Sequence, residues 1–93
     1  MKERTIVVIP AYNAERTLAG VVAALPEGCA DEIIVVDDAS RDGTADEAAK
    51  LPVTLIRHAE NRGYGANQKT CYRAALDRGA DYVAMLHGDG QYD

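Results

Sequence analysis

A short apolar run that ends on two adjacent carboxylates constrains this sequence most. The run covers residues 33–36, and Asp37 and Asp38 follow it directly. Four consecutive aliphatic residues are typical of a strand buried on both faces, as in the middle of a parallel sheet. In open α/β sheets, ligands bind outside the carboxyl ends of the strands. The acid pair therefore marks a candidate site.

Three other apolar runs are also predicted to be strands, and helical patterns separate them. The predicted strands are residues 5–9, 33–37, 53–56 and 82–86, and the third predicted helix covers residues 66–78. This βαβαβαβ order predicts an α/β fold, a Rossmann-like parallel sheet of about four strands with helices on both faces.

Local signals predict where these elements begin and end. Pro10 should end the first strand, because proline has no N–H to donate to a sheet. Asn13 is a candidate cap for the first helix, and Thr44 and Glu47 have the spacing of a capping box for the second. Gly79 is expected to end the third helix.

Size and charge exclude several classes of function. The 93 residues suit one small domain or part of a larger one. Ten basic residues stand against fifteen acidic ones, a net charge of −5 that opposes nucleic-acid binding. No apolar run is long enough for a bilayer span or a signal peptide, so we expect a cytoplasmic chain. Cys29 and Cys71 lack metal-type spacing and are expected to be reduced thiols.

Polar residues distant in sequence should converge on the carboxyl edge of the sheet. They are Tyr12, Glu15, Asp37, Asp38, His87, Asp89 and Gln91. An acid after a strand is more often a turn former or a helix cap than a ligand, so the convergence is the evidence. The sequence has neither G-x-G-x-x-G nor a P-loop, which disfavours a dinucleotide Rossmann site.

A nucleotide could still bind here without a glycine cradle. The Asp38 carboxylate is suited to accept hydrogen bonds from a base, and Tyr12 offers a ring for stacking. The diphosphate would then lie towards Asp89, where a divalent cation could bridge carboxylate and phosphate oxygens.

Four segments, in this order, resemble glycosyltransferase family 2. They are residues 10–15 (PAYNAE), 35–44 (VVDDASRDGT), 61–67 (NRGYGAN) and 87–91 (HGDGQ). The subgroup they resemble is that of the dolichol- or polyprenyl-phosphate mannosyltransferases or glucosyltransferases. The resemblance implies a GT-A fold, a UDP- or GDP-linked sugar as donor, and Mg²⁺ or Mn²⁺ as cofactor.

The resemblance also implies roles for single residues in nucleotide binding. The residues it assigns to the nucleoside pocket are Pro10, Ala11, Tyr12 and Glu15. It implies that Asp38 reads the base. For Asp37 we expect a structural role, that of shaping the turn. Arg62 and the amides after it precede a helix, where an anion is favoured, but a solvated basic loop is an equal alternative.

The family's D-x-D metal motif corresponds to residues 87–89. Asp89 supplies the second acid, His87 replaces the first, and Gln91 lies nearby, so these three are the predicted metal ligands. For His87, a structural histidine is an equal alternative to a ligand. No partner can be identified from the sequence for His58.

Residues 1–93 are thus interpreted as the amino-terminal, donor-binding part of a metal-dependent glycosyltransferase. We expect the catalytic and acceptor half, with the unidentified base, to lie beyond Asp93, and this part to be inactive alone. The acceptor implied by the resemblance is a polyprenyl phosphate, with membrane association of the full-length protein.

Two alternatives stay open. A receiver-like or nucleotide-binding regulatory module also pairs acids at strand ends, although its acid pair would be expected after the first strand. A folding or assembly unit would associate with itself through an exposed sheet edge.

Overall fold

The computed structural model describes residues 3–87, in which four strands alternate with three helices. The strands are β1 (Thr5–Ala11), β2 (Glu32–Asp37), β3 (Thr54–Arg57) and β4 (Tyr82–Met85), and the helices are α1 (Leu18–Ala23), α2 (Thr44–Ala49) and α3 (Tyr64–Asp77). No helix of this part of the chain has the length and apolar character needed to cross a membrane.

The strands form one parallel sheet in the order β3-β2-β1-β4. The chain steps from β1 through β2 to β3 and then returns to place β4 on the other side of β1. This return makes the carboxyl ends of β1 and β4 a topological switch point, where open α/β sheets bind ligands. The predicted α/β class with a parallel sheet is confirmed.

Two apolar clusters cover the two faces of the sheet. Leu18 and Val22 of α1 and Ala48 of α2 pack on one face, against residues of β1 and β2. Cys71 and Ala75 of α3 pack on the other face of the same strands. Helices therefore lie on both faces, as predicted.

The prediction that Pro10 ends the first strand is wrong. Strand β1 continues to Ala11, and Pro10 pairs in register with Val36 of β2. Backbone groups alternate in direction along a strand, and the Ala11 carbonyl points to β2, where it accepts the Asp38 N–H. The backbone nitrogen of Pro10 therefore points towards β4. Because the pairing of β1 with β4 ends at Val8, the N–H that proline lacks is not needed for a hydrogen bond between these strands.

Two helix-cap predictions are also wrong. The N-cap residue of α1 is Thr17 and that of α2 is Gly43, and neither supplies a capping hydrogen bond from a side chain of its own. Gly79 does end α3: its φ is +81°, its N–H donates to Leu76 O, and the next N–H donates to Ala75 O. This pair of hydrogen bonds is a Schellman motif.

Glu32 ties four elements together at the amino edge of the sheet. Its carboxylate, on β2, pairs with Arg4 before β1 and Arg78 after α3, and it accepts the Thr54 hydroxyl of β3. Burial raises the pKa of Glu32, but hydrogen bonds from Thr54, Arg78 and Arg4 outweigh it and hold the pKa below its usual value. The amino edge is thereby fixed, and the polar loops of the opposite edge carry the candidate site.

Candidate functional site

The Asp38 carboxylate is the centre of a buried network just beyond β2. Its Oδ1 accepts the Arg62 N–H at 2.9 Å and lies 2.7 Å from His58 Nδ1, and its Oδ2 accepts the Gly63 N–H at 2.9 Å. The Asp38 carbonyl accepts the Asn61 side-chain amide at 3.2 Å. Asp38 thus links the end of β2 to the loop between β3 and α3.

His58 was the residue without an identified partner, and the structure gives it two. Besides Asp38 at Nδ1, its Nε2 lies 2.9 Å from the Thr70 hydroxyl of α3. β2 and β3 pair Asp37 with Arg57, so the next residues along the two strands, Asp38 and His58, lie side by side. That register cannot be read from either strand alone.

The Asp37 carboxylate holds its own turn, as expected. Its Oδ1 accepts both the N–H and the hydroxyl of Ser40. Its Oδ2 is buried and accepts no hydrogen bond from the described residues, although Arg57 Nε lies 3.4 Å away. The adjacent Ala39 has a φ of +57°, which is uncommon for a residue with a side chain. Residues with such backbone conformations are found most often at functional sites.

The loop after β1 is bound to the loop after β2 by hydrogen bonds. Asn13 donates its N–H to the Ser40 hydroxyl and accepts the Arg41 N–H, and the Ala14 N–H donates to the Thr44 hydroxyl. Asn13 and Thr44 therefore hold two loops together, and this replaces the capping roles predicted for them.

Glu15 belongs to the same pair of loops. Its carboxylate accepts the Gly43 N–H at 3.1 Å, and its own N–H donates to Asp42 at 3.2 Å. Burial raises the pKa of Asp42, but hydrogen bonds from Thr44 and the Glu15 N–H bring it below its usual value. Of the other residues predicted for the nucleoside pocket, Pro10 and Ala11 are buried and Tyr12 is half-buried.

His87 follows β4 and is exposed beside the first residue of α3. Its ring nitrogens lie 3.3 and 3.5 Å from the Tyr64 hydroxyl, and the ring centroids are 5.6 Å apart. Tyr64 also accepts the Gln68 amide at 2.9 Å. The other predicted metal ligands, Asp89 and Gln91, lie outside the described residues, and residues 3–87 contain no cluster of three potential metal-binding side chains.

Arg62 is exposed and lies on the α3 side of the site. Its backbone N–H reaches Asp38, whereas the residue lines a groove of about 940 Å³ between the edge of β3 and α3. Lys69 and Arg73 of α3 line the same groove. The structure therefore brings Asp38 and the Arg62 backbone together, and it places Glu15 with the neighbouring pair of loops.

A parallel sheet in this order, with polar loops joined by hydrogen bonds at its carboxyl edge, defines a Rossmann-like α/β fold. The family model "Glycosyl transferase family 2" matches residues 6–93. The chain belongs to glycosyl transferase family 2.

Curated relatives with assigned activities are similar along nearly the whole chain. The UDP-N-acetylglucosamine–dolichyl-phosphate N-acetylglucosaminyltransferase of Methanococcus voltae is 33% identical, covering 91% of this chain and 41% of that protein. The polyprenol monophosphomannose synthase of Mycolicibacterium smegmatis is also 33% identical, covering 97% of this chain and 37% of that protein. The chain thus spans about two fifths of the length of these relatives.

Solved structures confirm the fold. The glucosyl-3-phosphoglycerate synthase of Mycobacterium tuberculosis, in complex with Mn²⁺, UDP and glucosyl-3-phosphoglycerate, superposes with a TM-score of 0.75 at 26% identity, over 94% of this chain and 34% of that one. TarS of S. aureus in complex with UDP gives 0.73 at 25% identity, over 92% and 27%. The architecture is the nucleotide-binding half of a GT-A fold.

Proposed function

We propose that this chain is the donor-binding part of a metal-dependent glycosyltransferase that uses a nucleotide-diphosphate sugar. The observation that carries the proposal is the family match over residues 6–93, combined with polar loops that are joined by hydrogen bonds at the carboxyl edge of the sheet. The UDP complexes of the structural neighbours support a uridine nucleotide, and the resemblance of the motifs also allows GDP.

The proposed nucleotide contacts are Pro10, Ala11, Tyr12, Glu15, Asp38 and Arg62. Tyr12 is half-buried directly after β1 and can present its ring to a base. Asp38 is fully buried, and three hydrogen bonds already occupy its carboxylate. Asp38 is proposed to read the base, because a carboxylate accepts hydrogen bonds from the N–H groups of a base.

The proposed cofactor is Mg²⁺ or Mn²⁺, and the neighbour crystallised with Mn²⁺ and UDP supports this choice. Asp89, Gln91 and His87 are the residues proposed to hold it. A divalent cation bound there would neutralise charge on the departing diphosphate. The exposed imidazole of His87 is accessible for such a role.

The proposed acceptor is a polyprenyl phosphate, because two similar proteins are named for dolichyl-phosphate and polyprenol substrates. A cytoplasmic location, with membrane association of the full-length protein, belongs to the same proposal. So do the limits of the domain: residues 1–93 bind donor, and acceptor binding and catalysis require further chain.

Calorimetric titration with UDP and with GDP, each with Mn²⁺, tests the proposal. Binding should weaken strongly in Tyr12→Ala and Asp89→Ala and should depend on the metal. Asp77→Asn is the matched control, since Asp77 ends α3 at the opposite edge of the sheet. Absence of binding, or binding that ignores both site variants, would contradict the proposed function.

The receiver-like alternative has less support. It needs an acid pair after β1, where Ala11 and Tyr12 lie, and the family match is to a transferase. Incubation with a small phosphodonor and Mg²⁺ discriminates between the two, because an acyl-phosphate adduct would favour the receiver.

A further inference from the structure

His58 is a buried imidazole whose two nitrogens both have partners. It lies just beyond β3 and is 7% exposed, and its backbone N–H donates to the Asp37 carbonyl at 2.9 Å. Nδ1 is 2.7 Å from the Asp38 carboxylate, and Nε2 is 2.9 Å from the Thr70 hydroxyl. An ionised carboxylate only accepts hydrogen bonds, so Nδ1 must carry the proton between His58 and Asp38.

The oxygen of Asp38 that contacts His58 also anchors the turn at the start of α3. Oδ1 accepts the Arg62 N–H, and Oδ2 accepts the Gly63 N–H. The imidazole and the two amides together fix both oxygens of one fully buried carboxylate. Without the His58 donor, the carboxylate could rotate and the turn that carries Arg62 would lose its fixed position.

We infer that His58 is a positioning residue of the nucleotide cleft, which holds the Asp38 carboxylate and, through it, the turn of Arg62 and Gly63. The inference rests on the proposed function, because Asp38 and Arg62 are residues proposed to contact the nucleotide. His58 itself is buried. It acts by orienting Asp38.

Two substitutions of His58 separate its two contacts. Asparagine places an amide nitrogen near the position of Nδ1 and keeps a donor for Asp38, whereas glutamine reaches towards the position of Nε2 and keeps a partner for Thr70. We expect His58→Gln to raise the Kd for UDP or GDP with Mn²⁺ by about tenfold or more, as for a lost hydrogen bond to a charged group. His58→Asn should stay within about threefold of wild type.

A role in packing alone would predict a different result. Both substitutions remove the ring, so binding would then follow the loss of thermal stability and would not distinguish the two variants. Asp77→Asn, remote from the network, is the control for both measurements. Equal Kd values in His58→Asn and His58→Gln, with wild-type binding intact, would overturn the inference and leave the proposed function standing.

Amide hydrogen exchange without nucleotide provides a second readout. The N–H groups of Arg62 and Gly63 should be protected in wild type and in His58→Asn, and they should exchange faster in His58→Gln. Unchanged protection in His58→Gln would overturn the inference whatever the binding data show. Failure of the wild-type protein to bind either nucleotide would instead overturn the proposed function.

Discussion

At the scale of single residues, the two adjacent acids after β2 hold different parts of the molecule. Asp37 accepts hydrogen bonds from Ser40 and fixes the turn that leads to α2. Asp38 accepts hydrogen bonds from a loop more than twenty residues away. One position in the chain thus decides whether a carboxylate shapes its own turn or joins two loops of the site.

Asp38→Asn tests the second of these roles. The asparagine side chain has one acceptor atom, its oxygen, and its nitrogen is a donor. The His58 ring or a backbone N–H that now donates to Asp38 would therefore face the amide nitrogen inside the protein, with no acceptor. We expect the free energy of unfolding to fall by about 3 kcal/mol, because a buried donor loses its acceptor and hydrogen bonds to a carboxylate are lost. Urea denaturation measures it. Asp77→Asn, at the exposed end of α3, should change stability by less than about 0.5 kcal/mol, and an equally small effect at Asp38 would contradict the network.

Cys71 gives a prediction about alkaline pH. Burial raises the pKa of its thiol to about 12, whereas the pKa of a cysteine in an unfolded chain is about 8.5. Above that lower pKa the unfolded chain has lost a proton that the folded chain keeps, so stability falls as pH rises, by up to about 1.4 kcal/mol per pH unit.

Urea denaturation of wild type and Cys71→Ala, at pH values above the pKa of an unfolded cysteine, isolates the contribution of the Cys71 thiol. All other groups titrate in both proteins, so their contributions cancel in the comparison. The wild-type free energy of unfolding should fall more steeply with pH than that of the variant. Cys29 is exposed, so Cys29→Ala should keep the wild-type slope. Parallel slopes in wild type and Cys71→Ala would contradict the prediction.

At the scale of elements, the alternation of strands and helices was predictable because each type of element has a local pattern. Runs of aliphatic residues indicated every strand, and Gly79 indicated the end of α3. The starts of α1 and α2 were not predictable from local pattern. Asn13 and Thr44 have the chemistry of caps, but their side chains contact residues 28 and 30 positions away in sequence.

The site shows the same limit. Asp38 and Arg62 were both predicted from the sequence to contact the nucleotide, and the structure brings the Asp38 carboxylate to the Arg62 N–H. His58 carries no motif of its own. Its role follows from the register between β2 and β3, which depends on pairing across the sheet and on no local signal.

Gly63, which caps α3, offers a prediction about this element. Its φ of +91° and ψ of 165° lie in a region that essentially only glycine adopts. Gly63→Ala should therefore lower the free energy of unfolding by about 1–3 kcal/mol and displace an N–H that Asp38 accepts.

Gly65 is the matched control for Gly63. It lies inside α3, and an added Cβ meets nothing within 4 Å. Gly65→Ala should raise stability by about 0.5–1 kcal/mol, because alanine favours helix. Thermal and urea unfolding measure the stability of both variants. If Gly63→Ala and Gly65→Ala changed the free energy of unfolding in the same direction, the argument from the backbone conformation of Gly63 would be contradicted.

At the scale of the whole molecule, the sheet has two outer strands, β3 and β4, each four residues long. Within residues 3–87, β4 pairs only with β1. Unpaired strand edges are templates for pairing with another chain, so we propose that the 93-residue chain associates with itself through β4. The exposed Tyr82 on this strand adds apolar surface to the edge.

Ala84→Lys tests this association, because Ala84 is exposed on β4 and a lysine on an edge strand opposes pairing. Light scattering after size-exclusion chromatography should show wild-type mass rising with concentration and the variant staying closer to a monomer. Ala49→Lys places the same charge at an exposed alanine of α2, away from the sheet edge, and should associate like wild type. Equal loss of association in both variants would point to net charge as the cause, and a wild-type monomer at every concentration would eliminate the assembly role.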